Sequence, residues 1–212
     1  RLSMVDLNGT TTYSYDNLDR LTGVTYSDGE TVTYAYDAMG NRISMTSSVN
    51  GTTTYVYDDA DRLLSTTDDN GTLTLNWDAN GNLISKGNVT YTFDALDRLT
   101  QVVSDTLTVT FAYNGDDVRQ SKTVNSTVTN YVQDTVSPLP MMLMEMTDTL
   151  SNTYLYGAEL VAQFDAADNP LYYHSDGLGS VRALSNGNGQ RTSQYSYDAF
   201  GQERDLTGAD NQ

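Results

Sequence analysis

Residues 31–42 read Thr-Val-Thr-Tyr-Ala-Tyr-Asp-Ala-Met-Gly-Asn-Arg, and this stretch decides the fold. Its first six residues alternate between an apolar or aromatic side chain and a small or polar one, which is the period-two pattern of a half-buried β-strand. Asp37 to Gly40 then fit a type I turn, because aspartate at the first position accepts backbone N–H groups and glycine suits the fourth. The stretch therefore predicts a strand that runs into a tight hairpin turn.

The same pattern recurs along the chain, with aromatic–acid pairs 21, 21, 20, 16 and 20 residues apart. Aspartate or glycine stands three residues after each acid, and arginine or asparagine follows in most copies. The pairs, with the glycines at the fourth position of the turn, are Tyr15-Asp16, Tyr36-Asp37 with Gly40, Tyr57-Asp58, Trp77-Asp78 with Gly81, Phe93-Asp94, Tyr113-Asn114, and near the end Tyr197-Asp198 with Gly201. A repeat of about 20 residues accommodates two short strands and two turns.

Asparagine–glycine and aspartate–glycine pairs mark the other ends of the hairpins. They predict type I′ turns, whose two central residues both need positive φ. The predicted positions are Asn8-Gly9, Asp28-Gly29, Asn50-Gly51, Asn70-Gly71 and Gly87-Asn88. Because a single hairpin is not stable alone, we expect successive hairpins to pair edge to edge. The predicted fold is all-β, a continuous antiparallel ribbon with a tyrosine-rich face and a threonine-rich face.

The composition supports strands and narrows the classes of partner. The chain has 16 tyrosines and 30 threonines, both of which favour strands. Its net charge of −17 argues against nucleic acid as a partner, because binding the phosphate backbone needs lysine and arginine. No apolar run reaches transmembrane length, so we expect no membrane insertion. There is no cysteine for a thiolate metal site, and we predict no cofactor and no metal.

The repeat degenerates after about Tyr131. Prolines exclude a central strand within residues 137–140, and we predict a turn there that leads into a strand from Met141 to Met146. Its methionines fit core packing, with a partner-binding patch as the alternative. We divide the chain into hairpin repeats over residues 1–136 and degenerate repeats with a closing motif over residues 137–212, expected to form one continuous structural unit.

The turns resemble the Y-D-x-x-G/D-R/N-L pattern of the RHS/YD-repeat family, and residues 171–201 resemble the core-associated motif that closes its repeat region. The residues that carry the closing motif are Tyr173, His174, Asp176, Gly179 and Ser180. The resemblance implies a ribbon that spirals into a hollow shell and encloses a C-terminal toxin or effector domain of the parent polypeptide, as in bacterial polymorphic toxins and insecticidal toxin complexes. Because other members, the teneurins, are cell-surface proteins, it also implies a secreted or cell-surface location.

We expect no catalytic residue in this chain. The family's autoproteolytic carboxylates lie in an Asp-Pro-x-Gly-Leu region that this sequence does not contain. His174 and Ser175 do not suit a nucleophilic triad, because adjacent residues of a strand point to opposite faces. The predicted function is thus a non-enzymatic structural segment of a shell.

Three other kinds of site were weighed from the residues. Asp58-Asp59, Asp68-Asp69 and Asp116-Asp117 lack the spacing of an EF-hand and are better explained as hairpin ends than as Ca²⁺ sites. The Asn-x-Thr glycosylation sequons mostly coincide with predicted turns. The exposed tyrosine and tryptophan face leaves one alternative function open, an extracellular carbohydrate-binding or cell-surface adhesion module whose partners are glycans or proteins.

Overall fold

Alternating threonine, valine and tyrosine residues form β-strands throughout the computed structural model, which describes residues 1–6, 9–136 and 140–204. The described residues form twenty strands and no helix, and each strand pairs antiparallel with at least one neighbour in sequence. The predicted all-β hairpin ribbon is confirmed. Within the same residues there is accordingly no helix long and apolar enough to cross a membrane.

By its internal contacts the chain divides into two units, Arg1–Phe93 and Asp94–Gln212. The strands of the first unit pair in sequence order through hairpins. They are β1 (Ser3–Asp6), β2 (Gly9–Tyr15), β3 (Leu21–Thr25), β4 (Thr31–Tyr36), β5 (Arg42–Ser47), β6 (Gly51–Tyr57), β7 (Leu63–Asp68), β8 (Gly71–Trp77), β9 (Leu83–Lys86) and β10 (Val89–Phe93).

The second unit is built in the same way. Its strands are β11 (Leu99–Val103), β12 (Thr108–Tyr113), β13 (Arg119–Val124), β14 (Thr127–Asp134), β15 (Met141–Met146), β16 (Ser151–Tyr156), β17 (Leu160–Phe164), β18 (Pro170–Ser175), β19 (Val181–Asn186) and β20 (Arg191–Gln194). The predicted methionine strand is confirmed as β15. Of the turn predicted before it, residues 137–139 lie outside the described residues, as do residues 205–212 of the tail, and the division at residue 136 remains a prediction.

The two faces of the ribbon separate as the alternation predicts. On β4, Val32 and Tyr34 are buried whereas Thr31 and Thr33 are exposed. The threonine hydroxyls bond across strands, for example Thr46 to Thr52 with an oxygen–oxygen distance of 2.9 Å. We call the side that carries Val32, Tyr34 and their cross-strand neighbours the tyrosine face, and use the same name for the equivalent side of the second unit.

The tyrosine face is incompletely covered in each unit. No large side chain among the described residues is fully buried. Within a unit, every close backbone approach between strands involves neighbours in sequence. The best-buried apolar side chains are Val24, Tyr26, Val32, Tyr34, Leu75, Val109, Val118, Tyr131 and Ala162. Burial therefore comes mainly from side chains packing against their cross-strand neighbours.

The type I′ turns predicted at Asp28-Gly29, Asn50-Gly51 and Asn70-Gly71 are wrong. Each glycine has a positive φ, of 92°, 74° and 126°, but the residue before it does not. In the first of these turns the Gly29 N–H donates to the carbonyl of Tyr26 over 3.0 Å, so the glycine occupies the fourth position. A type I turn followed by one left-handed residue also suits the twist of a hairpin, which is why one positive φ suffices.

The turn between Lys86 and Val89 also differs from the prediction. Gly87 has a φ of 56° and Asn88 is not left-handed, which is the arrangement of a type II′ turn with glycine in its first central position. Asn8, of the predicted Asn8-Gly9 turn, lies outside the described residues.

Candidate functional site: the repeated Tyr-Asp turn

The candidate site is a five-residue loop that begins with the aspartate of each aromatic–acid pair; we call it the Tyr-Asp turn. In the copy at Asp58, Oδ1 accepts hydrogen bonds from the backbone N–H groups of Ala60 and Arg62, both over 2.9 Å. The Asp61 N–H donates to the Asp58 carbonyl over 3.0 Å, which closes the predicted type I turn. One carboxylate thus satisfies backbone donors that the hairpin ladder cannot reach.

The fourth residue of the Tyr-Asp turn must adopt a positive φ. Aspartates hold it at 57–61° in the copies at Asp19, Asp61, Asp97 and Asp117. Gly40 takes 98° in the same position. Because few residues other than glycine, asparagine and aspartate tolerate this region, the alternation between aspartate and glycine in the sequence is explained. A β-bulge follows in the partner strand, where the register shifts beside the aromatic residue.

In several copies the fifth residue joins its turn to the next one along the ribbon. Arg20 pairs its Nε with Asp16 Oδ2 over 2.7 Å, and its Nη1 donates to the carbonyl of Asp37 over 3.0 Å. Its guanidinium also lies 5.0 Å from the ring centre of Tyr36, a cation–π contact. Arg62 reaches the carbonyl of Asp78 in the same way, over 3.3 Å. Neighbouring turns are therefore linked by side chains as well as by the β-ladder.

The aromatic residue anchors each hairpin to the preceding one. The Tyr36 hydroxyl donates to the carbonyl of Leu21 over 2.7 Å. Trp77 makes the equivalent bond with its indole N–H, to the carbonyl of Leu63 over 2.9 Å. The other anchors run from Tyr15 to Arg1, from Tyr57 to Arg42 and from Tyr113 to Leu99. Phe93 has no donor for such a bond, although its strand position is the same.

Replacing Tyr36 by phenylalanine should lower the free energy of unfolding of the first unit by about 1 kcal/mol. The ring remains, and only the hydroxyl that donates to the Leu21 carbonyl is removed. Urea unfolding followed by the fluorescence of Trp77, the single tryptophan, measures the change. Thr33→Ser on the exposed face is the control for a local change in β4, and an equal loss there would contradict the anchor.

Further copies of the Tyr-Asp turn occur where the sequence pattern is weak. The first part of one such loop is described: Gln133 replaces the tyrosine, its Nε2 donates to the Arg119 carbonyl over 2.6 Å, and Asp134 Oδ1 accepts the Val136 N–H over 2.9 Å, while residues 137 and 138 lie outside the described residues. Asp165 accepts the N–H groups of residues two and four positions later. Asn186 does the same with its amide oxygen. Sequence analysis missed the anchor at Gln133 because it lacks the aromatic residue, and the aspartate directly after it was the available signal.

The closing motif contains another copy of the turn. Asp176 Oδ1 accepts the N–H groups of Leu178 and Ser180, over 2.9 and 3.2 Å. Gly179 has a φ of 84° and donates its N–H to the Asp176 carbonyl over 3.0 Å. Arg182 pairs with Asp176 over 2.8 Å, so this motif has the parts of the repeat with arginine two residues further on.

Two motif residues reach across neighbouring strands. The Tyr173 hydroxyl donates to Gln163 Oε1 over 2.5 Å. His174 Nε2 lies 2.7 Å from the hydroxyl of Ser185, not beside Ser175. The Asp176 carboxylate is bonded to its own turn and to Arg182, so it does not orient the imidazole as the acid of a triad would.

The last copy lies at Tyr197-Asp198. Asp198 Oδ1 accepts the N–H groups of Phe200 and Gln202, over 2.8 and 2.9 Å, and Gly201 has a φ of 85°. The guanidinium of Arg182 lies 5.4 Å from the Tyr197 ring centre. The motif and the last turn are therefore in contact. Within the described part of the chain no group of three or more histidine and acidic residues is placed to hold a metal ion.

The turn aspartates are held in their ionised form. The backbone N–H of Arg20, followed by its side chain, lowers the pKa of Asp16, and the N–H and side chain of Asn82 do the same for the pKa of Asp78. The backbone N–H of Arg62 is the leading cause of the lowered pKa of Asp58. Hydrogen bonds to the charged form thus stabilise both the carboxylate and the turn.

We expect the ribbon to unfold in acid. Because these carboxylates have a lower pKa folded than unfolded, their contribution to stability is complete above about pH 4 and is lost as the pH falls through the folded values. Thermal melts from pH 7 to pH 2, read by circular dichroism, measure the loss. Asp58→Asn should make the melting temperature depend less on pH. A melting temperature of the unaltered chain that stays constant below pH 4 would contradict the expected unfolding in acid.

The Tyr-Asp turns, the links between them and the closing motif extend over most of the sequence. The family model described as "Teneurin YD-shell" matches residues 2–205. The chain belongs to the teneurin YD-shell family. The resemblance drawn from the motifs is thus confirmed.

Curated relatives of this YD shell come from Bacillus. The tRNA3(Ser)-specific nuclease WapA of Bacillus spizizenii is 30% identical over 191 residues, which cover 88% of the YD-shell chain and 8% of the relative. The tRNA nuclease WapA of Bacillus subtilis has the same identity and coverage. The chain therefore spans about 8% of the length of these relatives.

Two solved structures are similar to the YD-shell chain. The match to the crystal structure of TcdB2-TccC3-TEV extends over 95% of the YD-shell chain and 13% of the solved chain, with 14% identity and a TM-score of 0.46. The match to the crystal structure of TcdB2-TccC3 without its hypervariable C-terminal region extends over 95% of the YD-shell chain and 15% of the solved chain, with 18% identity and a TM-score of 0.41.

Proposed function

We propose that this chain is a non-catalytic wall segment of a YD shell, and that the shell encloses a C-terminal effector domain of the same parent polypeptide. The observation that carries the proposal is the incompletely covered tyrosine face. No large side chain among the described residues is fully buried, although tyrosine, leucine and valine line one side of the strands. An apolar face that stays partly exposed suits contact with another polypeptide.

The links between turns support a scaffolding role. Several hairpins are bonded to the one before by an aromatic anchor and by the fifth residue of the turn, as Tyr36 and Arg20 show in the first unit. Repeats that contact their neighbours in this way build extended walls, because each added repeat brings its own interface. A wall that encloses another domain has to be rigid, and these links between hairpins supply rigidity.

The relatives support a payload outside the wall segment. Two of them are named as tRNA nucleases, and the region matched by this chain is 8% of each. We infer that the chain's own parent carries an effector activity in a separate part, and that the parent is secreted or displayed at the cell surface. The acidic wall itself takes no nucleic acid.

Photo-cross-linking in the full-length parent tests enclosure with two adjacent positions of β6. A p-benzoylphenylalanine replaces either Tyr55 on the tyrosine face or Val56 on the opposite face. Val56 is 53% exposed and Tyr55 is half-buried, so accessibility alone favours cross-linking from Val56. We expect cross-links to the effector domain from position 55 and none from position 56.

Equal cross-linking from both positions, or none from position 55, would contradict enclosure. Deletion of residues 133–204 from the parent gives a second readout, because the effector domain should then become sensitive to protease. An effector that stays protected after the deletion would show that this segment is not part of the enclosing wall.

A further inference from the structure

Glu145 places a carboxylate on the tyrosine face of the second unit. It lies near the end of β15, where it pairs in register with Tyr131 on one side and Asn152 on the other. Tyr131 is 8% exposed and Glu145 is half-buried. Tyrosines and the neutral amides Asn152 and Gln163 make up the neighbouring positions of this face, so Glu145 is the charged residue among them.

The carboxylate is hydrogen-bonded to two neutral side chains, Asn152 and Tyr154, and has no ion-pair partner among the described residues. Asn152 Nδ2 donates to Glu145 Oε1 over 2.9 Å. No lysine or arginine of the described residues forms an ion pair with Glu145, whereas the arginines of the Tyr-Asp turns pair with aspartates. Arg119 lies instead over the ring of Tyr131, 5.0 Å from its centre, and over Phe111.

Tyrosine rings surround the carboxylate. Tyr154 follows Asn152 on the same face of β16, and burial, followed by its side-chain hydrogen bond to the Glu145 carboxylate, raises its pKa. Burial first, and the charge of Glu145 as a smaller cause, also raise the pKa of Tyr173. These rings therefore remain neutral phenols close to a negative charge.

A half-buried carboxylate beside aromatic rings has the chemistry of a cation site. Ring faces attract ammonium and guanidinium groups, and a carboxylate in a partly desolvated place is stabilised when it is paired. Asn152 satisfies one oxygen by hydrogen bonding but contributes no charge. A neutral sugar would gain the ring contacts without using the charge of Glu145, so a cation is the better match.

We propose that Glu145, with Tyr154 and Tyr173, binds a lysine or arginine side chain of the polypeptide that the shell encloses. The inference rests on the proposed function, since it takes the enclosed effector as the source of the cation. It adds the chemistry of one contact: an ion pair formed over aromatic rings on the tyrosine face.

An arginine peptide, acetyl-Gly-Arg-Gly-Arg-Gly amide, is the probe for this site. The 212-residue chain is titrated with it, and the NMR signals of the Glu145 carboxyl and the tyrosine rings are followed. We expect saturable shifts of the Glu145 and Tyr154 signals. Glu145→Gln should weaken binding about fivefold, the effect of losing a contact worth about 1 kcal/mol.

Glu159→Gln is the matched control, because it removes the same charge from an exposed position of the same unit. Equal weakening by both substitutions would show general attraction to an acidic protein and would overturn the site. The absence of peptide binding to the unaltered chain would overturn it as well. So would a neutral oligosaccharide, cellopentaose, that shifts the same tyrosine signals in a Glu145-dependent way.

The outcome is separable from that of the proposed function. In the full-length parent, Glu145→Gln is combined with the cross-linker at position 55. Enclosure predicts that the effector still cross-links there, whether or not Glu145 holds a cation. Loss of peptide selectivity with retained cross-linking would remove this inference alone, whereas loss of cross-linking from the unaltered wall would remove both.

Discussion

Replacing Leu75 by alanine should lower the free energy of unfolding of the first unit by about 2–4 kcal/mol. Leu75 is 7% exposed and lies on the tyrosine face of β8. Few side chains of the ribbon are buried to this degree. Shortening Leu75 leaves a cavity, because few neighbouring apolar side chains can move in to fill it. The loss is large for a domain whose total stability is of the order of 5–15 kcal/mol.

Leu64 provides the matched control, because Leu64→Ala removes the same atoms within the same unit from a side chain that is 36% exposed. Urea unfolding of both variants, followed by Trp77 fluorescence and by circular dichroism, measures the difference. We expect the control to lose less than half as much stability as Leu75→Ala. Equal losses would mean that the tyrosine face does not hold the unit together.

Replacing Gly40 by valine is expected to cost about 1–3 kcal/mol through backbone strain alone. Gly40 has a φ of 98°, a region that β-branched residues avoid. A Cβ atom at this position would meet nothing within 4 Å, so no steric clash contributes. The same urea experiment measures the cost.

Gly40→Asp is the control for this strain. The Tyr-Asp turns at Asp19, Asp61 and Asp97 place aspartate in the equivalent position with a φ near 60°. We therefore expect the aspartate variant to retain most of the stability that the valine variant loses. If the two substitutions were equally costly, positive φ would not be what selects the residue at this position.

The contacts between turns give a second reason for aspartate at the fourth position of the Tyr-Asp turn. Asn41 Nδ2 donates to Asp61 Oδ1 over 2.6 Å, and Arg98 pairs with Asp117 over 2.7 Å. In both, the fifth residue of one turn reaches the fourth residue of the next. Glycine is easier for the backbone but offers no such acceptor, so the two residues suit different neighbours.

Local patterns were enough to predict the strands, the Tyr-Asp turns and the two faces. Each of these depends on residues close together in sequence: the alternation in residues 31–36, or an aspartate that accepts N–H groups two and four residues later. The type I′ turns failed for a local reason too. The glycine after Asp28, Asn50 or Asn70 supports more than one kind of turn, and the dipeptide does not distinguish them.

The sequence by itself determined an all-β repeat with acid-led turns, because strand period and turn chemistry act over a few residues. Only the tertiary structure decided which carbonyl each aromatic anchor reaches, that Gln133 makes the same kind of bond, and that Glu145 lies opposite Tyr131 on the tyrosine face. Those contacts join residues about one repeat apart or on adjacent strands. They depend on the register between paired hairpins, which exists only once the sheet has formed.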